Sequence, residues 1–398
     1  MSTQPVDLPY LIPDLPSADE VMPFLREIDG NRWYSNFGPL VQRLNDQIKQ
    51  LHFAGEDAHT LLCSNGTAAL ELGLFCLGLK PGSKVLVPAF TFPASANAIQ
   101  NAGFVPVFCD VDANSWILTP EIALEALTNM HFDAVMPVAA LGRPVPVRQW
   151  DAFCELTGLP VLVDAAPALG TQRVGKHLVV AYSMHATKAF GIGEGGVLAS
   201  ANRDVIEKAR RICNFGMDSI GQVVMAGNNY KLSEYHAAVG LAQISRWPER
   251  QLKRARIENA YQACMPLYKD LWATQSFVDM PPDDEVLRKL PGHHPRSTMP
   301  IFLKNPIQNG IQSVQAKLAD AGIGSRLWYN PGLHRHPHWA GVRQVFRNGE
   351  QALATVDALN QQLIGLPFHN FLTPQQVDCI VSTLWQIVES MEISASIN

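Results

Sequence analysis

The sequence predicts an α/β fold built on a mostly parallel sheet with helices on both faces. Two observations carry that expectation. From His59 onward, short apolar runs of strand length alternate with segments of helical period. The runs are apolar almost throughout, as strands covered on both faces are.

The elements follow in order. The first residues are Pro-rich and read as extended. Val21, Phe24, Leu25 and Ile28 recur at helical spacing. A second helix follows Gly38-Pro39, with Leu40, Val41, Leu44, Ile48 and Leu51 on one face. Seven strands come next: LLCSN (61–65), KVLVPA (84–89), VPVFCDV (105–111), AVMPVAA (134–140), PVLVDAA (160–166), VVAYSMH (179–185) and GGVLAS (195–200). Helical patterns such as TAALELGLFCLGL and ASANAIQNAG fill the gaps between the first five. The connections to the last two are short, which leaves room for one antiparallel partner, Gly195 to Ser200. After about residue 245 a polar helix (245–268) leads away from the sheet. A Pro- and charge-rich stretch (279–297), a strand TMPIFL, a helix from Gln312 to Ala321 and a helix from Thr373 to Ser390 complete a smaller unit. The expected division is 1–245 for the large domain and 246–398 for the small one.

The chain of 398 residues is 47% hydrophobic and 17% charged, which suits a large core. A net charge of -5 offers no footprint for nucleic acid or an anionic membrane. The apolar runs are strand-sized and too short to span a bilayer. The opening MSTQPVDLPYLIPDLPSADE has no basic or apolar signal region. The seven cysteines are scattered without metal-ligand spacing and read as core residues in a reducing compartment, so a cytoplasmic protein without metal is expected.

The chemistry gathers at strand ends, where open α/β sheets bind ligands. Asp164 ends the fifth strand. Lys188 leaves the sixth and enters a turn with Gly191, Gly193, Gly195 and Gly196. A carboxylate and a lysine so placed suit pyridoxal phosphate (PLP). The amine condenses with the cofactor aldehyde, and the carboxylate keeps the pyridine nitrogen protonated. Singly, each residue also reads as a solvated cation or a cap. Ser64-Asn65-Gly66-Thr67 opens a helix whose N–H groups suit a phosphate, or are simply capped by Ser64 or Asn65. Phe92 follows the second strand, where it stacks on a planar cofactor or fills the core.

In this order the motifs closely resemble the DegT/DnrJ/EryC1/StrS sugar aminotransferases, PLP-dependent enzymes of fold type I. The resemblance runs through NRWYSNFGPLVQRLN, SNGTAALELGL, PGSKVLVPAFTFPASANAIQNAGFVPVFCDVD, VDAAPALG, HATKAFGIGEGG, GNNYKLSEYHAAVGLAQI and WYNPGLHRHP. It implies that Lys188 binds the cofactor covalently, Asp164 pairs with the pyridinium nitrogen and Phe92 stacks on the ring. Gly66, Thr67 and Ser183 would bind the phosphate. Asn229 would reach the phosphate of a second subunit, which implies a homodimer with shared sites. His334 and Tyr329, with Trp328 behind them, would lie near the substrate. The implied substrates are an amino acid, L-glutamate, and a nucleotide-linked keto-sugar. NRWYSNFGP and WYNPGLH resemble members that aminate 4-keto-6-deoxy sugars. A related group that removes the 3-hydroxyl has histidine where this chain has Lys188.

Three departures stand out. Pro167 replaces the family's polar residue beside the cofactor's phenolic oxygen. His185 sits in a lysine loop that often reads FSFYPTK. Lys231 replaces an arginine. Two other readings stay open: a fold type I enzyme acting on a keto-acid or cyclitol, with Arg326 or Arg335 binding a carboxylate, and a non-catalytic PLP-binding regulator.

Overall fold

The computed structural model describes residues 7–275, 296–307 and 309–397. The Pro- and charge-rich stretch expected at 279–297 lies outside the described residues except for its last two.

Two helices come first: α1 (Ala18–Asn31) and α2 (Pro39–His52). A sheet layer interleaved with helices follows. It comprises β1 (His59–Cys63), α3 (Gly66–Cys76), β2 (Lys84–Pro88), α4 (Pro93–Asn101), β3 (Val105–Cys109), α5 (Pro120–Asn129), β4 (Ala134–Val135), α6 (Val147–Thr157), β5 (Leu162–Asp164), β6 (Val179–Ser183), β7 (Gly196–Ser200) and α7 (Arg203–Cys213). The long helix α8 (Glu234–Cys264) then leads to β8 (Trp272–Ala273), β9 (Met299–Leu303), α9 (Ile311–Asp320), β10 (Gln344–Val345), α10 (Ala354–Gln362), β11 (Leu363–Leu366) and α11 (Pro374–Ile397).

Two four-stranded ladders, β1-β7-β6-β5 and β10-β3-β2-β4, are joined by parallel bridges between Val135 and Val161 and between Val138 and Asp164. They form one large sheet. Its pairs are parallel except at β7, which runs antiparallel to both β1 and β6. The seven expected strands are all present, with the expected reversal at the last. An eighth, β10, joins the edge parallel to β3. A small antiparallel sheet, β11-β9-β8, forms separately.

Burial explains the layering. Strands β6 and β7 are buried at every position, so both faces are covered. Helix α2 buries Leu40, Val41, Leu44 and Ile48 as expected, but Leu51 is exposed and His52 is buried in its place. His52 packs edge-on against Phe190 and Trp247, because α8 crosses that end of the face. Glu234, buried at the start of α8, accepts the Leu40 and Val41 N–H groups and so caps α2 from a distant part of the chain.

Helix α8 starts earlier than the polar pattern suggested, capped by Ser233, and carries Pro248 inside it. The division near 246 therefore falls within a continuous helix. One core surrounds the large sheet. A second groups Ile257 and Tyr261 with β9, β11, α9 and α11. Leu333, Trp339, Val345 and Val356 belong to the first core although they come late in the chain. No helix among the described residues is long and apolar enough to cross a membrane.

Candidate active site

At the end of β1, Asn65 caps α3, its side chain accepting the Ala68 N–H at 2.8 Å. The N–H groups of Gly66 and Thr67 stay in the first turn, where no earlier carbonyl can bond them. The capping and anion-binding readings thus coexist. Gly66 lies against the end of β6. A Cβ there would sit 2.8 Å from Ser183 Cβ and 3.1 Å from its Oγ. Gly66 and Ser183 are thus in close contact at the start of α3, while the Ser183 hydroxyl accepts the His185 N–H at 3.2 Å.

Phe92 precedes α4 at the end of β2 and is 52% exposed, so it is not a core residue. Asp164 ends β5 and is 4% exposed. Its Oδ2 accepts the Ser95 hydroxyl at 2.6 Å, and its Oδ1 accepts the Ala166 N–H at 3.0 Å. Ser95 is also bonded to Thr91 at 2.7 Å. Burial is the largest influence on the Asp164 carboxyl and holds it above the usual carboxylate range. Those hydrogen bonds and the Lys188 charge pull the other way. Burial likewise holds the Lys188 amine below the usual lysine range. The Asp164 charge opposes this and the Arg326 charge reinforces it.

The segment 326–334 closes the site from the C-terminal unit. Leu333 N–H donates to the Ala89 carbonyl, docking the segment on the end of β2. Tyr329 packs edge-on against Phe90, with ring centroids 4.9 Å apart. Burial raises its hydroxyl pKa, and the Asp164 charge adds to this. Trp328 donates to the Tyr10 hydroxyl at 2.6 Å. The Arg326 guanidinium lies 4.1 Å from the Trp328 ring centre, with no carboxylate partner among the described residues.

Two expected residues are otherwise engaged. His334 Nε2 lies 3.0 Å from Asp357 and is buried. Burial keeps its imidazole below the usual histidine range, against the pull of Asp357. Arg335 grips the same carboxylate with two bonds, at 2.7 and 2.6 Å, so Arg335 is not a free cation. Asn229 is exposed on the segment that follows α7, where it bridges Asn214. Tyr230 beside it accepts the Ser64 N–H and donates to Glu71. The same segment exposes Ile220 at 75% and Val223 at 67%. Lys231 Nζ lies 4.3 Å from the Phe215 ring centre and has no hydrogen-bond partner among the described residues.

These residues fit PLP. The start of α3 offers N–H donors for its phosphate, the exposed Phe92 offers a ring face, and the buried Asp164 carboxylate would pair with a pyridinium. Ser95 and the charge of Arg326 on Lys188 were not foreseen from the sequence. A hydroxyl one turn into the helix after a strand end was the only signal for Ser95.

The DegT/DnrJ/EryC1/StrS aminotransferase family matches residues 17–385. The chain belongs to this family. As a member it is a PLP-dependent aminotransferase of fold type I. GDP-perosamine synthase of Caulobacter vibrioides is 28% identical, over 96% of this chain and 99% of that one. The dTDP-4-amino-4,6-dideoxy-D-glucose transaminase of Shigella dysenteriae is 27% identical, over 94% and 97%. The crystal structure of DesI in the presence of its TDP-sugar product matches with a TM-score of 0.81 at 25% identity, covering 98% of this chain and 96% of that one.

Proposed function

We propose that this aminotransferase moves the amino group of L-glutamate to a nucleotide-linked 4-keto-6-deoxyhexose. The relatives act on nucleotide sugars, and the observation that carries the reading is the Asp164–Lys188 pair. Asp164 ends β5 and Lys188 follows the adjacent β6, and burial raises the pKa of the one and lowers that of the other. Bound PLP would supply an electron sink for the carbon that loses its proton.

The residues divide the work. Gly66, Thr67 and Ser183 bind the phosphate, and Phe92 covers one ring face. Asp164, held by Ser95, keeps the ring nitrogen protonated. Lys188 anchors the cofactor. Once the donor amine displaces it, Lys188 Nζ takes the proton from the donor's Cα and delivers it elsewhere. A partly desolvated amine suits that task, because more of it is unprotonated near neutral pH. Arg326, whose charge acts on Lys188, binds the donor's carboxylate as a fork. Tyr329 faces the acceptor sugar. His334, held by Asp357, lies behind it.

The chain acts as a cytoplasmic homodimer, with Asn229 reaching the partner's phosphate. Exposed Ile220 and Val223 on the same segment support that reading. The large domain is 1–245 and the small one 246–398, with α8 shared.

An absorbance spectrum of the protein with PLP, before and after L-glutamate, tests the first half. A band absent from Lys188→Ala and altered by glutamate supports it; no lysine-dependent band refutes it. Screening nucleotide keto-sugars by product mass then tests the second half. Arg326 also suits a keto-acid acceptor. Offering keto-acids beside keto-sugars decides between the two.

A further inference from the structure

We infer that Arg250 and Gln243 are positioning residues for Lys188, and that Asp14 sets both of them. This rests on Lys188 being the reactive amine. The two side chains lie on one face of α8, two turns apart. Arg250 Nη2 donates to the Ala189 carbonyl at 2.9 Å, and Gln243 Nε2 donates to the Gly191 carbonyl at 2.8 Å. The two carbonyls lie one and three residues after Lys188 in its loop. Both donors are buried, so water does not replace these bonds cheaply.

The same two side chains also hold the N-terminal segment. Gln243 Nε2 donates to the Asp14 carbonyl at 3.0 Å, and Arg250 Nη1 bonds the same carbonyl. The Asp14 carboxylate pairs with Arg250 at 2.7 Å and with Arg246 at 2.8 Å. Asn370, just before α11, donates to it at 2.7 Å. Asp14 is thus a hub shared by α8, the C-terminal unit and, through two donors, the lysine loop.

The N-terminal segment is tied to the C-terminal unit along its length. Leu8 bridges Ile323, Tyr10 accepts from Trp328, and the Pro9 carbonyl meets His369. Its position therefore follows that unit, whose Arg326 and Tyr329 close the site. Through Asp14, Arg250 and Gln243, the lysine loop is registered against the same surface that presents Arg326. A loop rich in glycine would otherwise sample many conformations.

The test needs neither cofactor nor substrate. Full-length protein without PLP is acetylated with limiting reagent at neutral pH. Peptide mass spectrometry compares Lys188 with Lys317, an exposed lysine on α9. In Arg250→Lys and in Gln243→Met, a freed loop no longer holds the amine in one desolvated position, and Lys188 labelling falls severalfold relative to Lys317. Thermal unfolding run in parallel establishes that each variant is folded. Unchanged relative labelling in folded variants overturns the proposal, even if their melting temperature drops. If both variants fail to fold, Asp14→Asn is read by the same two outcomes. A missing PLP band in the wild type would defeat the proposed function while leaving this labelling result intact.

Discussion

Ser95 reaches across from the first turn of α4 to the end of β5 and donates a 2.6 Å hydrogen bond to Asp164. The bond stabilises a buried negative charge that the site requires and the surrounding core disfavours. Ser95→Ala leaves that oxygen short of a donor, at a cost of about 1–3 kcal/mol to the ionised form. The variant is expected to fold and bind PLP while the glutamate-dependent spectral change slows roughly tenfold or more. Stopped-flow absorbance measures it. An unchanged rate would show that Ser95 has no bearing on the carboxylate's charge.

Gly66→Ala probes the phosphate site. The new methyl group would meet Ser183 at 2.8 Å, and overpacking of this kind costs about 1–3 kcal/mol. PLP affinity, read by fluorescence titration, should fall roughly tenfold, which is about 1.4 kcal/mol.

Arg326→Gln removes a cation whose charge acts on Lys188. The glutamate concentration for half-maximal conversion should rise roughly 10- to 100-fold, the scale of a charge-assisted bond of about 1.5–3 kcal/mol. The sugar half-reaction, followed from the amino-loaded cofactor form, should be little changed. A reversed pattern would assign Arg326 to the nucleotide's phosphates.

Asp14 gives a pH signature. Burial pushes its carboxyl up, but Asn370, Arg250 and Arg246 together outweigh this and hold it below the usual aspartate range. The folded pKa is therefore lowered. The resulting stabilisation is complete above the unfolded aspartate's pKa and is lost as pH falls through the folded one. Melting temperatures of wild type and Asp14→Asn should differ at neutral pH and converge in strong acid. A gap that persists there would point to shape rather than charge.

The exposed segment after α7 carries the assembly prediction. Val223→Asp with Ile220→Asp places charge on an apolar patch and should yield monomers in sedimentation velocity. PLP loading should fall with dimer content if Asn229 serves the partner's site. Full loading in a monomer would confine the site to one chain.

Much of this arrangement was legible in the sequence, for physical reasons. A strand buried on both faces must be apolar throughout, so β1 to β7 stand out against amphipathic helices. Strand β10 does not, because two residues leave no pattern and its pairing with β3 is fixed only by tertiary docking. The error at Leu51 has a similar cause. Periodicity names a helix face, but the neighbouring helix decides where that face ends. Asp164 and Lys188 were readable from their strand ends. Ser95 was not readable as a partner of Asp164, since 69 residues separate them. The clamp of Gln243 and Arg250 on backbone carbonyls was equally hidden, because any segment supplies carbonyls.

The reversed strand β7 limits how this enzyme can vary. Gly196 opens β7 and pairs on one side with Ser183, on the other with Cys63. A Cβ at Gly196 would also strike the Asn65 carbonyl. Both anchors of the lysine loop are therefore fixed to the neighbouring strands, and the loop between them behaves as a ring of set circumference. An added residue has no slack to occupy: it must bulge into the cofactor space or slip β7 by one, which turns every side chain of that strand to the other face. Length polymorphism, which most surface loops of such a chain tolerate freely, should be lethal to catalysis between residues 184 and 195.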